Sequence, residues 1–214
     1  MRRSLVTIAG KDGLLRLVDR DSHEELYSVA ITTRSNHGVE PTEAGVYTCP
    51  GASGGALWST PAFDPSSNTM YIASVDWCGI FKKGEELRFV PGQFYVGGSY
   101  TPDPIEKSHG WLTAVDALTG SARWKYQSAR PLLAAVTATA SGVLFTGELT
   151  GDFLALDSTD GSVLYRFYVG GPITGGVISY AAKGKQYVAV ASGVATGYWQ
   201  AFGGAATIVV FALP

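Results

Sequence analysis

The chain is poor in charge and in the residues that build common catalytic and metal sites. Asp, Glu, Lys and Arg make up 16% of its 214 residues, and the net charge is −2. That composition argues against a disordered chain, and no basic cluster offers a footprint for DNA or RNA, so no nucleic-acid partner is expected. No apolar run reaches the length of a membrane span. There are two cysteines, with no C-x-x-C pair and no C-x-x-C-H haem motif, and three histidines without ligand spacing. A zinc site is therefore not expected. No helix pattern follows Gly170-Gly171 or Gly203-Gly204, so neither is a phosphate loop. Asp64-Pro65-Ser66-Ser67-Asn68 lacks the spacing and the bidentate Glu of an EF-hand loop and reads as a β-turn. No Ser/His/Asp arrangement assembles, which argues against a hydrolase.

What the chain does have is a phrase that returns. Ala114-Val115-Asp116-Ala117-Leu118-Thr119-Gly120-Ser121-Ala122-Arg123-Trp124 comes back forty-one residues later, running from Ala155-Leu156-Asp157 through Gly161 to Tyr165. A worn copy runs from Leu17-Val18-Asp19 to Tyr27 and lacks the glycine. Each copy reads as a strand, an Asp-anchored turn and a second strand with a large aromatic. The Asp accepts hydrogen bonds from the turn's own N–H groups. The Gly takes a positive φ. The aromatic supplies a flat ring to pack between neighbouring units. A repeat of ~40 residues built this way indicates β-propeller blades.

The rest of the chain fits an all-β fold. The 27 glycines and 12% aromatics suit short strands joined by tight turns. Residues 5–30 predict three strands, with a hairpin across Gly10-Lys11-Asp12-Gly13. Residues 31–56 read as irregular, and a strand pair follows at 56–63 and 69–75. Residues 79–109 read as a long inserted loop, and loops of that length tend to be functional. Residues 110–127 close that blade, 132–167 form a full blade, and 172–213 add three strands. The expectation is a single propeller region over 1–214 with about three and a half four-stranded blades and an open edge. An open edge invites self-association or pairing with missing blades. The apolar run after Met1-Arg2-Arg3 stops at Lys11-Asp12, too soon for a signal peptide. The chain is thus expected to begin inside a folded unit, as a fragment, a truncated reading frame or half of a split protein.

Several segments in order resemble the PQQ-dependent quinoprotein alcohol and methanol dehydrogenases. They are Gly10-Lys11-Asp12-Gly13 before Val18-Asp19-Arg20; Thr48-Cys49-Pro50; Gly54-Gly55 through Trp58 to Pro65; Pro91-Gly92-Gln93-Phe94-Tyr95-Val96-Gly97; and Gly184-Lys185-Gln186-Tyr187-Val188-Ala189-Val190. The repeated phrase resembles that family's tryptophan-docking motif. The resemblance covers essentially the whole chain and points to the C-terminal part of an eight-bladed propeller. It implies a pyrroloquinoline quinone (PQQ) cofactor with calcium, an alcohol substrate, a cytochrome c or membrane quinone as electron acceptor, and a periplasmic location.

The same resemblance implies roles for particular residues. Lys11 would lie at the cofactor and hydrogen-bond the quinone oxygens, where an ammonium stabilises charge as the quinone is reduced. Trp58 and Trp199 fall where the family places aromatics near the cofactor, although blade packing explains them equally well. Cys49 and Cys78 match a family disulfide, the alternative being two buried thiols. Two departures weaken the cofactor contacts: Leu57, where many members have Asn, and Leu133-Ala134-Ala135, where relatives often read Trp-Gly-Gly. The family's general-base Asp and its calcium-binding Glu and Asn lie upstream of the Lys11 hairpin, so this chain is not expected to turn over alone. The alternative is a non-catalytic propeller module that binds proteins or assembles with a partner chain.

Overall fold

The computed structural model of the protein describes residues 4–56, 59–86, 88–93, 95–193, 197–201 and 203–212. Seventeen strands lie among them. β1 (Leu5–Ala9), β2 (Leu14–Asp19) and β3 (Glu25–Ala30) form the first sheet, and β4 (Val46–Thr48) follows in the connecting segment. β5 (Ala62–Asp64) and β6 (Thr69–Asp76) pair across the Asp64–Asn68 turn, where Asp64 accepts the Ser66 N–H and the Ser66 and Ser67 hydroxyls. β7 (Gly79–Lys83) and β8 (Gly98–Pro102) come next, then β9 (His109–Asp116) and β10 (Ala122–Ser128). β11 (Thr137–Ala138), β12 (Val143–Gly147), β13 (Asp152–Asp157) and β14 (Val163–Tyr168) make one sheet. β15 (Val177–Ala182), β16 (Lys185–Ser192) and β17 (Thr207–Ala212) make the last. The only helical pieces among the described residues are two short 3₁₀ turns, Ile105–Lys107 and Gly197–Trp199.

Four sheets of three, four, four and three strands follow one another along the chain, equal to three and a half blades of four. The repeated phrase shows how they are joined. In each copy the Asp carboxylate accepts N–H groups from its own turn: Asp19 from Asp21 and Ser22, Asp116 from Leu118 and Thr119, Asp157 from Thr159. The fourth residue after the Asp takes a positive φ, +74° at Gly120 and +76° at Gly161. In the worn copy His23 takes it, at +62°. The aromatic then docks on the next copy's turn. Tyr27 donates to Ala117 O at 3.0 Å, and the Trp124 indole N–H donates to Ser158 O at 3.0 Å. A Cβ on Gly161 would stand 2.5 Å from the Trp124 ring, so only glycine admits the indole there.

Interblade cores lie between the sheets, and Ala134, Phe153, Ile173, Val177, Val188 and Val190 pack the third on the fourth. Leu15, Ile31, Met70, Ile72 and Val115 pack the first sheet on the second. Tyr71, Leu112, Leu132, Leu144, Leu154 and Leu156 pack the second on the third. β6 is buried along its whole length, consistent with a central strand covered on both faces.

The strands differ from the sequence reading in two places. Segment 79–109 is not structureless, because β7 and β8 pair with each other and with β4 as a separate three-stranded sheet. Phe81 packs on Tyr100 with ring centroids 4.7 Å apart, a cross-strand contact that the glycines and charged pairs around it obscured. Among the described residues the strand expected at 56–63 is reduced to Ala62–Asp64, and the first strand of the 132–167 blade is Thr137–Ala138. Ala56 instead packs in one core, and Leu132 and Leu133 in others.

Candidate functional site

Neighbouring strands in each sheet are antiparallel, so connections alternate between two faces of the arc. One face carries the three Asp turns. The other carries the Lys11 hairpin tip, the end of β6 with Trp77 and Cys78, the 129–136 connection and the Gly197–Trp199 turn. Lys11 and Trp199, far apart in sequence, thus lie on one face.

Residues 49–56 join them. Cys49 and Cys78 are bonded, with S–S 2.02 Å and Cα atoms 4.5 Å apart. The segment is stitched to the end of β6 on one side: Gly51 N–H donates to Trp77 O at 2.8 Å, and Gly55 and Val75 exchange bonds of 2.8 and 2.9 Å. On the other side it lies against the hairpin tip, where Ala56 N–H donates to Gly10 O at 3.0 Å. Gly55, at φ +89°, passes so close that a Cβ there would stand 2.5 Å from Lys11 Cα. That approach is the physical reason for glycine in this part of the sequence.

Lys11 is exposed, and its ammonium donates to Ala52 O at 2.6 Å. This bond uses one of the ammonium's three protons. The next residue, Ser53, shares a short hydrogen bond with the Tyr198 hydroxyl. Tyr198 packs edge-on against Trp199, with ring centroids 5.1 Å apart at 87°. Trp199 is buried among Val75, Trp77, Ile105, Leu133 and Leu149, and its ring lies 5.8 Å from that of Trp77. Trp77 donates its indole N–H to Asp103 O at 2.8 Å. Leu133, one of the two departures, is thus part of the apolar floor under Trp199. Trp58 and Leu57 lie outside the described residues.

Sequence reasoning missed Ser53, Trp77, Asp76 and Tyr198. Trp77 had one signal, its place beside Cys78. Asp76 is buried, and its Oδ2 accepts the Thr33 N–H, the Thr33 hydroxyl and the Trp111 indole N–H, with His109 Nε2 at 3.4 Å. A buried carboxylate oxygen bonded in this way ties the Thr33 segment to β9. Tyr47 donates to Asp103 Oδ2 at 2.6 Å, and that bond foremost pushes its phenol up to about 12. Burial raises the Tyr100 phenol.

The residue types on this face fit a quinone. An ammonium with spare protons and a wall of aromatic rings suit a planar, electron-accepting ligand. Among the described residues no three His, Cys, Asp or Glu side chains gather as a metal would need.

Comparison with known proteins gives this face a context. The family described as "Outer membrane protein assembly factor BamB" matches residues 108–208. The chain is 33% identical over 196 residues to the lanthanide-dependent methanol dehydrogenase of Methylorubrum extorquens, covering 88% of this chain and 32% of that protein. A solved europium-containing methanol dehydrogenase matches 91% of this chain and 37% of its own, with TM-score 0.80 and 25% identity. The quinohemoprotein alcohol dehydrogenase of Comamonas testosteroni shares the fold over 98% of this chain and 36% of its own, with TM-score 0.84 and 21% identity. The chain therefore spans about a third of the length of the relatives it matches.

Proposed function

Since the chain belongs to the PQQ-dependent quinoprotein alcohol and methanol dehydrogenase family, we propose that it supplies one wall of a PQQ site at which an alcohol is oxidised. The observation that carries this reading is the convergence of Lys11, Ala52–Ser53 and Tyr198–Trp199 on one face. Bound PQQ would supply the two-electron acceptor for the alcohol's carbon.

The chain's own residues bind and orient. Lys11, anchored to a carbonyl, offers its remaining N–H groups to the quinone oxygens and steadies negative charge there. Trp199, backed by Trp77 and Leu133, keeps water from that edge. The Cys49–Cys78 bond holds the Ala52–Gly55 segment against the hairpin. Calcium and the general base would come from residues outside this chain, which on its own would not turn over. Electrons would leave to a cytochrome c or a membrane quinone. A periplasmic location is in keeping with the disulfide.

The test is reconstitution with PQQ, calcium and the upstream blades. Dye-linked alcohol oxidation that falls at least tenfold in Lys11→Ala supports the reading. No oxidation in the completed assembly overturns it.

A further inference from the structure

A small cavity of about 180 Å³ opens between the 129–136 connection, the β12–β13 turn and the Gly197–Trp199 turn. Arg130, Thr150, Tyr168 and Gln200 border it, and Leu149 and Trp199 give it an apolar side. Among the described residues of that lining, Arg130 carries the one full charge, and none is an Asp or a Glu. Its guanidinium is half-buried and has no ion pair or hydrogen bond among the described residues. Arg16, Arg123 and Arg166, by contrast, each bond a carboxylate. The carboxylates of the adjoining β12–β13 turn are already engaged: Glu148 and Asp152 both bond Arg166, at 2.8 and 3.0 Å. A guanidinium drawn partly out of water without an acceptor is costly, and an anion offsets that cost. Nη1 is wholly shielded and orphaned, whereas Nε and Nη2 are not shielded. Those two nitrogens form the side-on pair of donors that the two oxygens of a carboxylate match.

We propose that this cavity binds a short-chain monocarboxylate, its oxygens on Arg130 and its carbon chain against Trp199 and Leu149. A water occupies ~30 Å³ of liquid, so the cavity holds about six waters. That is room for an acid of a few carbons and not for a tricyclic quinone. The apolar side favours a carboxylate with a tail over phosphate, which has nothing to set against it. The Tyr168 hydroxyl and the Gln200 amide add donors at the border. A Cβ on Gly151, at φ +94°, would stand 2.6 Å from the Tyr168 ring, so glycine lets that ring lie along the turn at the cavity's edge. The site is separate from the place proposed for the cofactor. The Gly197–Trp199 turn sends Tyr198 to Ser53, on the Lys11 side, and presents Trp199 and Gln200 to the cavity.

The experiment uses the 214-residue chain without PQQ, with propionate, propionamide and inorganic phosphate as probes, read by saturation-transfer NMR and by calorimetric titration. Propionate should bind saturably, and more tightly than either of the others. Arg130→Gln removes the charge and should weaken propionate by about tenfold or more, with the circular dichroism unchanged. Gln200→Glu, isosteric and at an exposed position, places a like charge at the border and should weaken it roughly fivefold. It keeps the test decisive if Arg130→Gln does not fold. Absence of saturable propionate binding, equal binding of propionamide or phosphate, or undiminished binding in the folded variants overturns the proposal. PQQ takes no part in these measurements, so their failure leaves the cofactor reading standing.

Discussion

The Trp124 indole donates its N–H to Ser158 O, 3.0 Å away in the next repeat, while its ring covers Gly161. One residue thereby locks two blades together through a hydrogen bond and a ring contact. Trp124→Ala removes both and should cost about 3 kcal/mol, the low end of the range for large aromatics because the ring is half-buried. Trp124→Phe keeps a ring and loses the bond, for about 1 kcal/mol. Gly161→Ala should resemble the alanine variant, since its Cβ would meet the ring at 2.5 Å. Urea unfolding of the three variants gives the order, and a Gly161→Ala protein as stable as wild type would contradict the docking.

The Cys49–Cys78 bond closes a loop of 29 residues. By loop-closure entropy it contributes roughly 3–4 kcal/mol. Intact mass with and without reduction before alkylation should differ by two labelled thiols. The double Cys→Ser variant should unfold at lower denaturant and expose the Ala52–Gly55 amides to hydrogen exchange. Unchanged exchange there would show that the bond does not hold the segment.

Burial first, and Glu148 next, push the Tyr126 phenol up to about 12. Its hydroxyl donates to Glu148 Oε1 at 2.8 Å, and Arg166 bonds the same carboxylate at 2.8 Å. An unfolded tyrosine titrates near 10. The folded state thus holds a proton that the unfolded state releases. The stability is fully present below pH ~10 and is lost as pH rises toward 12. Tyr47, raised foremost by its hydrogen bond to Asp103, titrates in the same window. Unfolding midpoints between pH 9 and 12 should fall less steeply in Tyr126→Phe than in wild type. Identical slopes would refute the coupling.

The last sheet leaves β17 as an edge, with Ile208 73% and Val210 50% exposed, and Ile178 is 59% exposed on β15. Unpaired strand edges with apolar faces template association. Light scattering on the isolated chain at tens of micromolar should report a dimer or larger species. A stable 22.6 kDa monomer would contradict this.

Much of this was legible in the sequence because repetition and turn chemistry are local. The Asp116 and Asp157 phrases gave the blade unit, and the hydrogen bonds of their turns follow the residue types. His23 shows the limit: the missing glycine marked a worn copy but did not say which residue would take the left-handed position. The β7–β8 sheet was hidden because glycines and charged pairs obscure its period-two pattern. The site was only half readable. Lys11 and Trp199 could be named from family resemblance. Ser53 and Tyr198, which join them, come together only through folding across 145 positions and carry no sequence signal.

The Lys11 face is proposed here as part of a PQQ site. The direct measurement is a PQQ titration of the chain completed with its upstream blades and calcium, followed by tryptophan fluorescence, in wild type and Lys11→Ala. Quenching should be saturable in wild type and binding at least tenfold weaker in Lys11→Ala, with the fold and the disulfide intact. Equal affinity in the two proteins would contradict it.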